Sequence, residues 1–331
     1  MGFARGSATA FCLASLACAC SLGLDGFSSS AATADGDAGA PDATADASAD
    51  ASEGDSGIDA PKTGCNLGAP FGAPASIASL NTPDNDELWP RLTPDELTMV
   101  LATARSPNAF GLYITKRASR DAPFDPPHYM TNVNQPGAFD ADPMITANGL
   151  TFFFQSDRTG DQALYWSKRA SLTDEFPAPA PLTGVNTTAR EVQPFLTADG
   201  VELYFSRYIP PGATEVAQIH RAVALGTGFG TAEEVLELAS PEENWLPTPS
   251  ANRLTMYFSS KRTGGQGDHD IWVSRRASVT SPWSMPTVVT ELNSPGLDAS
   301  GWLSVDECRL YFHSRRDGAT TSDLYVAEKP R

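Results

Sequence analysis

The stretch Leu254-Thr-Met-Tyr-Phe-Ser-Ser-Lys-Arg-Thr-Gly-Gly-Gln-Gly-Asp-His-Asp-Ile-Trp-Val-Ser-Arg-Arg276 decides the fold. It holds two short runs rich in aromatic and β-branched residues, joined by a glycine-rich polar turn, and such runs are strands. Its anchor Met256-Tyr257-Phe258 recurs as Met99-Val100-Leu101, Phe152-Phe153-Phe154, Leu203-Tyr204-Phe205 and Leu310-Tyr311-Phe312. The period is about 50 residues, the range of stacked sheet repeats.

Working outward, the second run recurs as Leu112-Tyr-Ile114, Leu164-Tyr-Trp166, Ile219 and Leu324-Tyr-Val326. A third segment precedes each anchor through a tight turn, as in Leu92-Thr-Pro-Asp95, Ile145-Thr-Ala-Asn-Gly149, Leu196-Thr-Ala-Asp-Gly200 and Leu303-Ser-Val-Asp306. Asn-Gly and Asp-Gly there mark hairpins. A fourth element closes the unit, seen in Pro282 to Ser294 and echoed at Thr131-Asn-Val-Asn134 and Thr183-Gly-Val-Asn186. Four antiparallel strands per unit make a propeller blade. With 26 prolines, 27 glycines and no long helical periodicity, the folded part is expected to be all-β.

The N-terminus reads as an export signal over residues 1–19: Arg5 is its positive region, Ala8 to Leu16 its apolar core and Ala17-Cys18-Ala19 its cleavage site. Cys20 is expected to become the lipidated first residue of the mature chain. Soluble secretion is the alternative, because Ala17 stands where lipoprotein signals usually carry leucine. Residues 20–62 are almost entirely Ala, Asp, Ser, Gly and Pro, a composition that cannot bury a core and reads as a disordered tether. Nine acids lie between Asp25 and Asp59, so the tether supplies about half of the net charge of -17. That balance excludes nucleic acid as a partner class. No acid spacing there matches a calcium loop.

Of five cysteines, Cys12 and Cys18 leave with the signal and Cys20 carries lipid, which leaves Cys65 and Cys308 as a pair. Cys65 sits where the tether meets the first strand-like segment, and Cys308 in the turn before the last anchor. A disulfide between them would pin the two ends of a domain spanning residues 63–331, as an oxidising compartment permits.

The pattern Tyr-Phe-Ser-Ser-x-Arg-x-Gly-Gly followed by Asp-Ile-Trp-Val-Ser-Arg resembles the WD40-like β-propeller repeat of TolB-type proteins, over about residues 71–331. The resemblance implies a periplasmic or outer-envelope propeller that binds rather than catalyses. Such propellers commonly have six blades, but five units are countable here. Phe71 to Asn81 looks like a fourth strand without its predecessors, and the last unit stops at Arg331 without one. Five blades closed by an N-terminal strand are therefore expected, with six as the alternative.

Thirteen positions before the central anchor residues lie Glu87, Asp140, Glu191, Asn244 and Asp298, one polar residue per blade on one rim of the channel. Converging carboxylates bind a cation or a basic ligand, or raise one another's pKa. Five positions after the anchors, however, lie Arg105, Arg158, Arg262 and Arg316, so an acid–Arg pairing within the scaffold is the reading preferred. The third blade has Ile209 there, which leaves Glu191 without that partner, with Arg190 or Arg207 as substitutes. Trp89, Trp245 and Trp302 lie near innermost-strand starts. Strand parity puts Trp245 in the inter-blade core and Trp89 with Trp302 on the other face, a candidate platform for a sugar ring. Asp268-His-Asp270 sits in a polar turn and reads as turn chemistry rather than a metal site.

No cofactor, metal motif or nucleophile elbow is present in the sequence. The function expected is an exported, lipid-anchored, monomeric binding or scaffolding propeller, contacting a membrane only through its lipid, with an envelope protein or glycan as partner. The alternative is a five-bladed glycoside hydrolase or lyase using the rim carboxylates.

Overall fold

The computed structural model describes residues 64–105, 110–209, 216–226 and 228–331. The expected signal, Cys20 and the tether lie outside the described residues. Five antiparallel sheets form a five-bladed β-propeller. After the short β1 (Ala75–Ser76), blade 1 holds β2 (Glu87–Leu92), β3 (Thr98–Thr103), β4 (Gly111–Lys116) and β5 (His128–Tyr129). Blade 2 holds β6 (Ala141–Ile145), β7 (Thr151–Ser156), β8 (Ala163–Lys168) and β9 (Ala180–Pro181). Blade 3 holds β10 (Glu191–Leu196), β11 (Glu202–Ile209), the long β12 (Val216–Leu225), β13 (Gly228–Phe229) and β14 (Glu233–Glu234). Blade 4 holds β15 (Asn244–Pro249), β16 (Thr255–Ser260), β17 (Asp270–Arg275) and β18 (Thr287–Val288). Blade 5 holds β19 (Asp298–Leu303), β20 (Arg309–Ser314) and β21 (Asp323–Glu328), and β1 is its outer strand.

The anchor triplets fall on β3, β7, β11, β16 and β20, and their side chains are buried between neighbouring blades. The innermost strands β2, β6, β10, β15 and β19 pack on one another around the axis. Each of them is broken by a bulge, between Leu88 and Arg91 in the first blade and at the equivalent place in the others. Trp89, Asp142, Gln193 and Leu246 sit there at positive φ, each followed by a proline. Proline suits this place because a bulge frees one backbone N–H from the ladder, and proline has none to leave unpaired. Blade 5 uses Gly301 instead, since a Cβ there would come within 2.8 Å of Pro90 Cγ in blade 1.

The turn after each innermost strand is fixed by a Thr or Ser hydroxyl bonded to an Asp or Asn two residues on, from Thr93 with Asp95 to Ser304 with Asp306. The next residue is left-handed: Gly149 and Gly200 in blades 2 and 3, but Glu96, Arg253 and Glu307 in the others. The Asx turn, rather than glycine, is what all five share.

The ends of the chain close the ring as the repeat count required. Ala75 pairs with Val326 and Ser76 with Tyr325. Asn81 brackets Leu324 through its backbone N–H and C=O, as Asn134 does Leu112, Asn186 does Leu164 and Asn293 does Ile271. A second repeated device was not read from the sequence. Arg117, Arg169 and Arg276 each follow the third strand of a blade and stack on an aromatic ring seven residues later, Phe124, Phe176 or Trp283, at 4.3 to 4.5 Å. In blade 5 Lys329 takes the place of the arginine, and the N-terminal segment supplies the ring, Phe71, at 5.0 Å. Cys65 and Cys308 are joined in a disulfide across 243 residues of chain, outside the closing strand.

Candidate functional site

Glu87, Asp140, Glu191, Asn244 and Asp298 ring the face at which the innermost strands begin, and all five are buried. Each meets a guanidinium: Arg105 at 3.3 Å, Arg158 at 2.6 Å, Arg207 at 2.9 Å, Arg262 at 2.5 Å and Arg316 at 2.8 Å, respectively. The same five arginines donate to carbonyls of the segment entering the blade, those of Leu80, Val133, Val185, Leu238 and Leu292. The carboxylates also accept backbone N–H groups there, from Thr82 to Glu87, Gln135 to Asp140, Thr187 to Glu191 and Ser294 to Asp298. Charge-assisted bonds of this kind tie three segments of each blade into one unit. Burial raises the pKa of Glu87 despite its bonds to Thr82.

Glu191 therefore keeps a partner. Its guanidinium comes from Arg207, directly across the β10–β11 ladder, rather than from the turn position where Ile209 stands. Arg190, the other candidate, lies over the Tyr208 ring at 3.7 Å.

The three tryptophans have separate ring partners. Trp89 meets Phe110 and His313 edge-on, Trp245 stacks on His269 at 4.0 Å, and Trp302 tilts against Tyr311. Trp302 belongs to the opposite mouth of the channel, among Met144, Phe195 and Leu303, where the free recess is about 30 Å³. The bulge explains why Trp89 and Trp302 part: it adds a residue to each innermost strand, so side-chain alternation cannot be carried through it.

In the Asp268–Asp270 turn, Asp270 accepts the backbone N–H groups of Gln266 and Gly267. Lys261 bridges Glu243 and Asp268 beside it. Its chemistry is that of a turn.

The bulges place one charged pair in the channel that the sequence reading missed. Arg91 is 1% exposed, donates to Thr248 Oγ1 at 3.0 Å and lies over the Phe195 ring at 4.8 Å. Asp142, also buried, has an Oδ1 with no hydrogen-bond partner. Burial pushes the Asp142 carboxyl up to about 7, against the pull of Arg91 and of the Gln193 amide. Burial likewise brings Arg91 down to about 9. The available signal was Asp142-Pro143, a charged residue at a position where the other copies have Trp89, Gln193, Leu246 and Ser300.

No protein-family model matches the chain, and no curated protein matches its sequence. Solved structures do match in shape. The endo-arabinase from Bacteroides thetaiotaomicron is 14% identical, with a TM-score of 0.51 over 78% of this chain and 96% of that one. Zg3597, a family 117 glycoside hydrolase from Zobellia galactanivorans, is 10% identical, with a TM-score of 0.50 over 79% and 90%. The putative TolB from Agrobacterium tumefaciens is 16% identical, with a TM-score of 0.48 over 76% and 82%. At such identities a shared shape speaks for the fold alone and leaves function to the site; the class, a five-bladed β-propeller, rests on this chain's own sheets.

Proposed function

We propose that this is an exported, non-catalytic propeller that serves as a binding platform in the cell envelope, anchored by lipid on Cys20. One observation carries the non-catalytic reading: every rim carboxylate is bonded to a guanidinium and to backbone of its own blade. Cycling a proton on such a group would undo the blade end it holds. The Cys65–Cys308 disulfide supports export, because such bonds persist in oxidising compartments. The net charge of -17 favours protein or glycan partners over nucleic acid. A mature chain whose intact mass lacks acyl groups on Cys20 would refute the anchor.

Asp142 keeps a second reading, glycoside hydrolysis, in view, since a carboxyl titrating at about 7 suits a general acid. Hydrolysis of that kind uses two carboxyl groups about 5 to 9 Å apart. The charged neighbour that pulls on Asp142 is Arg91. The full chain should leave a panel of arabinans, xylans and aryl glycosides uncut. Turnover that Asp142→Asn abolishes would overturn the platform reading.

A further inference from the structure

The five blades serve as one another's controls, because strand register fixes which residues are equivalent. Val223 pairs with Glu202 where the other blades pair Lys116 with Thr98, Lys168 with Thr151, Arg275 with Thr255 and Glu328 with Arg309. Two residues on, Leu225 stands where they have Ala118, Ala170, Ala277 and Pro330. On the outer edge, Glu233 and Glu234 take the places of His128-Tyr129, Ala180-Pro181, Thr287-Val288 and Ala75-Ser76. Leu236 follows, where the others have Thr131, Thr183, Thr290 and Ala78.

These substitutions put apolar surface in water. Val223, Leu225 and Leu236 are 39%, 60% and 72% exposed. Blade 3 also lacks the cation, arginine in three blades and Lys329 in blade 5, that stacks on a ring after the third strand, having Ala224 in its place. Exposed aliphatics occur elsewhere too, as at Leu172 of blade 2 and Met285 of blade 4. At these register positions, however, the other four blades carry polar or small residues or, on the edge, no acid, so the combination of an aliphatic cluster with an acidic edge is particular to this blade. The edge borders a groove of about 580 Å³ towards blade 4, lined by Glu233, Glu234, Glu237, Val279 and Trp283, and by Arg221 and Arg276, whose charges are met by Glu202 at 3.2 and 3.7 Å. Glu234 and Glu237 have no ion-pair partner among the described residues, and Arg221 reaches Glu233 only at 4.0 Å.

We propose that this edge and groove of blade 3 dock a basic, aliphatic polypeptide segment of a partner protein. The leucines and valine would cover its apolar side chains, and the three glutamates would select its lysines or arginines over the acidic or neutral segments that the exposed aliphatics alone would also accept. A segment in extended form can lie along this edge, where β14 is the outer strand paired with β12. This proposal rests on the platform reading and names its partner class.

The test uses the full chain and a short fluorescent peptide of alternating lysine and leucine, with lysine–serine and glutamate–leucine peptides beside it. The lysine–leucine peptide should bind best. Leu225→Ser with Leu236→Ser should weaken it about tenfold, a shift typical of losing interface anchors. The triple change E233Q, E234Q and E237Q should weaken it similarly and flatten its salt dependence. Lys168→Ser, on blade 2, should change nothing. Equal affinity across all variants would overturn the proposal, as would concentration-dependent self-association of the wild type that Leu225→Ser abolishes, which would make a second copy the occupant. Hydrolysis of the glycan panel would sink the platform reading while leaving these affinities as they are, so the two failures are distinguishable.

Discussion

Glu96 of blade 1 grips Arg309 of blade 5 with both carboxylate oxygens, at 2.6 and 2.8 Å, and accepts the Tyr311 hydroxyl at 2.9 Å. It does so from a left-handed backbone, with φ of 63°. Such a conformation costs a residue with a Cβ about 1–2 kcal/mol, so the turn alone would favour glycine, as at Gly149 and Gly200. The contact across the seam outweighs that cost. Glu307 and Arg253 do the same between other blades, reaching Asn252 and Thr255, and Asp199 and Glu202.

Glu96→Gly should therefore destabilise the protein although it relaxes the turn. Removing one partner of a buried ion pair costs about 3 kcal/mol or more, and the relieved backbone returns about 1, so a net loss near 2 kcal/mol is expected. Glu307→Gly gives up only hydrogen bonds to Asn252 and Thr255 and should stay within about 1 kcal/mol of wild type. Urea midpoints separate the two, and equal shifts would show that Glu96 is no latch.

Reduction of Cys65–Cys308, or Cys308→Ser, should destabilise the ring by about 2–5 kcal/mol, the range for a bridge that closes a long loop. The loss should begin at the clasp. Amide exchange at Gly72 and Ile77, whose N–H groups donate to Glu328 and Leu324 across the closing segment, should speed up before that of the anchor strands.

What the sequence revealed and hid follows from which features repeat without interruption. The anchors, turns, blade count and clasp were legible because each recurs with its own chemistry. The bulges were not, since two-residue alternation was carried straight through Trp89 and Trp302. Glu191 misled for a related reason: its arginine moved from the turn onto β11, and a position-by-position alignment cannot see a partner reached from another residue. The stacking of Arg117, Arg169 and Arg276 was present in the sequence as Arg-Ala-Ser followed by Phe or Trp, and went unread because its last copy is split between Lys329 and Phe71.

That split copy makes Phe71→Ala informative. Phe71 is 5% exposed and packs edge-on against Tyr257 of blade 4 as well as under Lys329. Truncating a buried phenylalanine costs about 3–5 kcal/mol. Here the loss should also loosen the N-terminal segment, which protease cleavage near Pro70 would report. A variant as stable and as resistant as wild type would mean that the disulfide and β1 suffice as the clasp.

His313 and Asp142 should give the protein opposing pH dependences. Burial holds the His313 imidazole down to about 3 from its ordinary 6.5, with Asp86 and Arg315 as charged neighbours. The unfolded chain takes up this proton and the fold does not, so its contribution is present above about pH 6.5 and lost as pH falls towards 3. Asp142 runs the other way. Its carboxyl is raised from 3.8 to about 7, so its contribution is present below about pH 4 and lost as pH rises to 7. Between about pH 4 and 6.5 the two slopes, each at most about 1.4 kcal/mol per pH unit, offset one another. His313→Gln should then expose a stability that declines with rising pH, and Asp142→Asn one that declines with falling pH. Urea midpoints across this window test both, and parallel profiles for the wild type and the two variants would show that neither group titrates as its burial requires.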